Sequence, residues 1–254
     1  MSSVTMTPPA ATSQHNRSVD RRTQILNAMT ITSFLGFIIG LALALFFAET
    51  DQTQGQVQRI FYMHVSAFSG ATVAFFAGAF GGVAYLFTRK NKWDTFSLAG
   101  VEVGFALSLI TLITGMVWAR PIWNTWWTWD PRLTSAAIMS LTYAAYFMFR
   151  GSVESIDRRR TFASVYAMLA VTTVVLTFMI TRIRPDTIHP TVIGPSASNA
   201  QGAFEVAQKM GMTLGINSFI WCVLIAPTLM WWRIRLANLG DRVEQKRFEV
   251  IENQ

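Results

Sequence analysis

Five of the nine tryptophans fall within eighteen residues, Trp118-Ala-Arg120-Pro121-Ile-Trp123-Asn124-Thr-Trp126-Trp127-Thr-Trp129-Asp130-Pro131-Arg132-Leu-Thr-Ser135. The indole ring is apolar while its N–H wants a polar partner, so tryptophan collects at membrane edges. An aromatic belt accounts for two or three such residues. Five of them, interleaved with Arg120, Asp130, Arg132 and two prolines, equally suit a shaped surface for a flat aromatic ligand. On composition alone the two readings stand side by side. Two histidines add metal-binding capacity. His64 lies in Arg59-Ile-Phe-Tyr-Met-His64-Val-Ser-Ala-Phe68, and a helix there would put Phe61, His64 and Phe68 on one face. His189 lies in Arg182-Ile-Arg184-Pro-Asp-Thr-Ile-His189-Pro190, where the following proline favours an extended backbone and hence a loop.

The elements that position these residues are long apolar runs. The chain is 52% hydrophobic and 14% charged, against roughly 25% charged in soluble domains. Six runs near 26–48, 66–88, 97–117, 133–149, 162–181 and 211–232 each approach the ~20 residues a bilayer requires. The fold expected is an all-α integral membrane protein, a six-transmembrane-helix bundle over residues 25–235. Residues 1–24 and 236–254 read as tails, the first disordered and not a cleaved signal, because the apolar run that follows it is long enough to span a bilayer.

Basic residues orient the bundle. Arg17, Arg21 and Arg22 precede span one, and Arg89, Lys90 and Lys92 follow span two. Four arginines follow span four, and five basic residues follow span six. These are 15 of the 21 basic residues, and six lie in the other segments. The positive-inside rule then puts both termini in the cytoplasm. The tryptophan segment 118–135, the 49–65 loop and the 182–210 loop share the outer face.

That topology brings His64 and His189 to the tryptophans, while His15 sits in the polar tail. Imidazole ligates iron, heme iron included. A porphyrin could stack on indoles, and its propionates could pair with Arg120, Arg132, Arg182 and Arg184. A bare divalent ion would want more ligands than this face supplies. The net charge of +7 is what cytoplasmic loops commonly carry and calls for no nucleic acid. No phosphate-cradling glycine loop occurs, so an energy source would belong to a partner. The lone Cys222 makes no disulfide and no covalent heme motif. Glu102, near the inner end of span three, is expected to pair or to reach the interface. Gly36 and Gly40 in span one, and Gly78, Gly81 and Gly82 in span two, suit close helix packing.

The run Trp123-Asn-Thr-Trp126-Trp127-Thr-Trp129-Asp130-Pro-Arg132-Leu-Thr resembles the tryptophan-rich "WWD" signature of heme-handling proteins in cytochrome c biogenesis. Asn124 stands where that signature has glycine, and asparagine tolerates a left-handed backbone better than most residues. Six spans, one tryptophan segment and a histidine on each flanking loop resemble the heme exporter protein C family. The resemblance implies a protein that holds heme b on the periplasmic face of the bacterial inner membrane. It implies presentation to a membrane-anchored heme chaperone, alongside an ATP-binding-cassette pair (ATPase and membrane subunits) and a small single-span subunit. By the same resemblance His64 and His189 are iron ligands, and Trp123, Trp126, Trp127, Trp129 and Asp130 form the platform, with Trp118 beside them. The implied role is delivery and not catalysis. A carboxylate gains little beside propionates, so Asp130 is expected to serve transfer more than heme retention.

Three alternatives remain, the plainest being a purely structural membrane subunit with the tryptophans as a belt and the histidines incidental. A heme-attachment synthase of the same superfamily would have more spans. A small-solute transporter would place polar groups and helix breaks near the midplane, where only Glu102 and Pro227 are candidates.

Overall fold

A computed structural model describes residues 10–184, 186–189 and 207–252. Among these the chain is helical, apart from short loops and one isolated bridge between Asp51 and Gly55. The helices are α1 (Ala10–Ala42), α2 (Arg59–Thr88), α3 (Asn91–Trp123), α4 (Pro131–Ser152), α5 (Ile156–Ile183), α6 (Gln208–Phe219) and α7 (Ala226–Glu252). A π-helical turn, Leu43–Phe47, ends α1, and another, Ile220–Ile225, joins α6 to α7 as one rod.

Five helical stretches are long and apolar enough to cross a membrane: Arg21–Phe47, Gln56–Thr88, Asn91–Trp123, Ile156–Ile183 and Gln208–Glu252. The fourth expected span, in α4, does not reach that apolarity, for a reason visible in its packing. Ser135, Ser140, Tyr143 and Tyr146 are buried on its inner face, while Ile138, Leu141 and Met148 point outward. The polar side chains are inside, which lowers the mean without removing the apolar exterior.

Helices also run further than the expected spans. The tail assigned to 1–24 is helical from Ala10, and the one assigned to 236–254 is helical through Glu252. No proline falls between Ala10 and Ala42, and a formed helix propagates at low cost. Residues 1–9 and 253–254 of those tails, and 190–206 of the third outer loop, lie outside the described residues.

Packing centres on α2, which touches α3, α5, α6 and α7. Backbones of α2 and α3 nearly meet: a Cβ on Gly100 would lie 2.6 Å from the Gly78 nitrogen and 2.7 Å from the Ala74 carbonyl oxygen. The glycines of span one face the α6 rod, Gly36 against Ile220 and Gly40 against Asn217, and Gly82 faces Ser164 of α5. At the end of the bundle far from the tryptophans, buried Asp94 accepts two bonds from Arg150, at 2.8 and 2.7 Å. Glu102 is ion-paired with Arg233 of α7, so it pairs as expected.

Candidate functional site

His64 sits in the second turn of α2, against the last turns of α3. Its Nδ1 is 3.0 Å from the Thr111 carbonyl oxygen and 3.2 Å from Thr114 Oγ1. A carbonyl only accepts, so Nδ1 carries the proton and Nε2 keeps its lone pair. Gly115 makes room for the ring, since a Cβ there would lie 2.9 Å from His64 Cε1. Thr111, Thr114, Gly115 and Trp118 follow i, i+3, i+4, i+7 spacing, so one face of α3 seats both the imidazole and the first indole.

Beyond Trp118 the helix is brought to a stop. Pro121, in the last turn, has no N–H to donate backwards. Asn124 then adopts φ 55°, ψ 23°, the left-handed conformation for which the resembled motif uses glycine. Arg120 donates to the Asn124 side-chain oxygen. Trp118 meets Trp123 edge to face at 5.0 Å, and its indole N–H donates to Gln54 Oε1 at 3.1 Å. Trp127 and Trp129 make a similar edge contact at 5.8 Å.

Asp130 closes the loop and starts α4. Its Oδ1 accepts from the Arg132 and Leu133 amides at 2.9 and 3.4 Å, with Pro131 in the first turn. That is an N-cap followed by the residue best suited to the first helical position. The same carboxylate reaches the segment after α5: Oδ1 accepts from the Thr187 hydroxyl at 2.9 Å and Oδ2 from the Ile188 amide at 2.8 Å. His189 follows directly, and its amide donates to Thr187 Oγ1 at 3.2 Å.

The two imidazoles come together. Their ring centroids are 6.4 Å apart with a tilt of 37°. His189 is also 6.4 Å from Trp118 and 6.3 Å from Trp123. Around them is a cavity of about 990 Å³, its open mouth included, walled by His64, His189, Trp118, Trp123, Trp126, Trp127, Arg132 and Arg182, with Phe68 and Phe178 among the apolar lining. Arg132 donates to the Thr177 carbonyl and lies 5.1 Å over the Phe68 ring. Arg182 lies 4.9 Å over Phe178. The buried indole N–H of Trp127 has no hydrogen-bond partner among the described residues.

Four expected site residues do not line this cavity. Arg120 is engaged with Asn124, and Trp129 is 78% exposed. Asp130 is tied up in its cap and loop bonds. Arg184 pairs with exposed Asp186 at 2.8 and 2.6 Å, and this bond holds the Asp186 carboxyl below the usual carboxylate range. Conversely Gln54, Thr111, Thr114, Gly115 and Thr187 support the site without having been expected. The α3 stripe ending at Trp118 was the available signal for three of them.

The residues fit a heme. A metal–imidazole bond is about 2 Å and a ring nitrogen lies about 1.1 Å from its centroid, so two imidazoles sharing one iron would stand roughly 6.2 Å apart, centroid to centroid. The observed 6.4 Å is close to that spacing. Among the described residues no three His, Cys, Asp or Glu side chains converge. A bare cation would find no full ligand shell among the described residues, whereas a macrocycle brings four ligands of its own.

These features define a helical, membrane-type protein with paired imidazoles in a tryptophan-walled cavity. The family model for heme exporter protein C matches residues 10–249, and the chain belongs to that family. It is 34% identical over 125 residues to a "Putative cytochrome c biosynthesis ccmC-like mitochondrial protein" of Marchantia polymorpha, covering 48% of this chain and 55% of that protein. It is 26% identical over 229 residues to "Heme exporter protein C" of Escherichia coli K12, covering 88% and 87%. A 64-residue stretch is 48% identical to "Cytochrome c biogenesis protein CcsA" of Prochlorococcus marinus, 20% of that protein's length. Apart from the Escherichia coli alignment, the chain spans about half the length, or less, of the curated relatives it matches.

Proposed function

We propose that this protein holds heme b on the periplasmic face of a bacterial inner membrane and presents it to a membrane-anchored heme chaperone during c-type cytochrome biogenesis. The observation that carries the reading is the pair His64 and His189, 6.4 Å apart in a cavity walled by four tryptophans and two arginines. Nε2 of His64, left free by the Nδ1 bond to Thr111, is one iron ligand, and His189 is the other. Trp118, Trp123, Trp126 and Trp127 flank the porphyrin. Arg132 and Arg182 meet its propionates. Trp129, standing outside the cavity, is available to the chaperone.

The reading includes six spans with both termini in the cytoplasm. The 22 residues of α4 reach about 33 Å at 1.5 Å each, enough for a bilayer core, and its exterior is apolar. The excess of arginine and lysine in the segments joining spans two to three and four to five supports the orientation. The names of the relatives support cytochrome c biogenesis as the setting. An ATP-binding-cassette pair and a small single-span subunit are the expected partners, because this chain carries no nucleotide motif.

The test is the absorption spectrum of detergent-purified protein, with and without added hemin, beside the double variant His64→Ala/His189→Ala. The expected result is a Soret band of six-coordinate, low-spin heme in the unaltered protein and its loss in the double variant. Absence of that band after hemin addition, or its survival in the double variant, would refute the reading.

A further inference from the structure

His64 and His189 are held in different ways. His64 is on a packed helix and is backed by a main-chain carbonyl. His189 is on a loop beyond the end of α5, where its ring neighbours are two indoles and the other imidazole. Two of the bonds that hold the residues just before it run to one carboxylate. Asp130 Oδ2 accepts from the Ile188 amide, the residue before His189, and Oδ1 accepts from the Thr187 hydroxyl, which itself accepts from the His189 amide. Asp130 is only 8% exposed. Both of its oxygens are occupied by these bonds and by the cap of α4.

We propose that Asp130 is the positioning residue for the second imidazole: its carboxylate fastens the Thr187–Ile188 segment to the start of α4 and so sets His189 opposite His64. The inference rests on the heme reading given above. It gives the aspartate of the tryptophan segment a role away from the porphyrin. The tryptophans before it and the histidine 59 residues after it become parts of one device, because any shift of the 124–130 loop is passed to His189 through two hydrogen bonds.

Chemistry separates this role from simple helix capping. An amide is nearly as good an N-cap as a carboxylate, but it has one acceptor oxygen where the carboxylate has two. Asp130→Asn can therefore cap α4 or hold Ile188, and not both. Thr187→Val leaves the cap untouched and cuts the other thread, while Thr187→Ser keeps the hydroxyl.

The experiment uses the full-length, detergent-solubilised protein, unaltered and as Asp130→Asn, Thr187→Val and Thr187→Ser. Amide hydrogen exchange over residues 186–189 is measured without heme, and hemin titrations are followed by absorption and resonance Raman. Asp130→Asn and Thr187→Val are expected to exchange faster at Ile188 and His189. They are expected to shift bound hemin from six-coordinate low spin to five-coordinate high spin, and to bind hemin about tenfold to a hundredfold more weakly, as outer-shell changes do. Added free imidazole should restore the low-spin spectrum, because it replaces the misplaced ligand, and Thr187→Ser should resemble the unaltered protein. If Asp130→Asn keeps both the exchange protection and the low-spin spectrum, or loses the spectrum beyond rescue by imidazole, the inference fails alone. An unaltered protein without a low-spin spectrum would sink the heme reading and this inference together.

Discussion

Gly115→Ala isolates the seat of His64 from the stability of the bundle. The added methyl would lie 2.9 Å from His64 Cε1 and 3.4 Å from Nδ1. Carbon–carbon contact begins near about 3.5 Å, so the ring must retreat by about 0.6 Å. It is tethered against that movement by the Thr111 carbonyl and the Thr114 hydroxyl, at 3.0 and 3.2 Å from Nδ1. Metal–ligand distances tolerate only about 0.2 Å. The retreat therefore either breaks the Nδ1 bonds or displaces Nε2 from the place proposed for the iron. Loss of an outer-shell partner costs about 10–100-fold in affinity, or about 1.4–2.7 kcal/mol of binding. Helix propensity acts in the opposite sense, since alanine exceeds glycine by about 0.5–1 kcal/mol in a helix interior. The variant should thus melt close to the unaltered protein while binding hemin at least about tenfold more weakly. Gly215→Ala is the control, because a Cβ there meets nothing within 4 Å. Hemin titration beside thermal unfolding is the assay. A Gly115→Ala protein with unaltered hemin affinity and an unaltered low-spin spectrum would refute the geometry argued for His64.

Two further outcomes follow from the same arrangement. His189→Ala should lower co-purified heme more than alanine at any one of Trp118, Trp123, Trp126 or Trp127, because an iron–imidazole bond is single and directional while stacking is shared among several rings; Soret absorbance per protein compares them, and equal losses would count against axial ligation by His189. Asp94→Ala leaves the Arg150 guanidinium, 14% exposed, without its bidentate partner, so the bundle should lose about 3–5 kcal/mol while any hemin spectrum stays unshifted, since Asp94 and the imidazole seat at Thr111–Gly115 lie some five turns apart along α3; a shifted spectrum in the folded variant would show that the two ends are coupled.

What the sequence disclosed depended on whether a signal was local. Apolar runs and the tryptophan cluster are contiguous, so the helices and one wall of the cavity were legible. The Asp130-Pro131 pair before an apolar run is a legible helix start, but its second task was not, because Thr187 and Ile188 lie 57 and 58 residues on and no periodicity links them. The arginines show the reverse case. All four lie beside the tryptophans or His189, and counting charge made them equal. Yet Arg120 finds Asn124 four residues on, and Arg184 finds Asp186 two residues on. Local partners were present in the sequence for those two. Arg132 instead crosses to α5, where the Thr177 carbonyl holds it at the cavity wall. Arg132 too has a carboxylate two residues away, but Asp130 is already taken by the α4 cap and by Thr187 and Ile188, so this guanidinium is satisfied across the fold instead. Spacing alone could not rank Arg132 above Arg184, since each has an aspartate two residues off; what separates them is that the fold employs Asp130 elsewhere, and this leaves the proposed propionate contacts to fewer charges than the composition of the outer loops suggests.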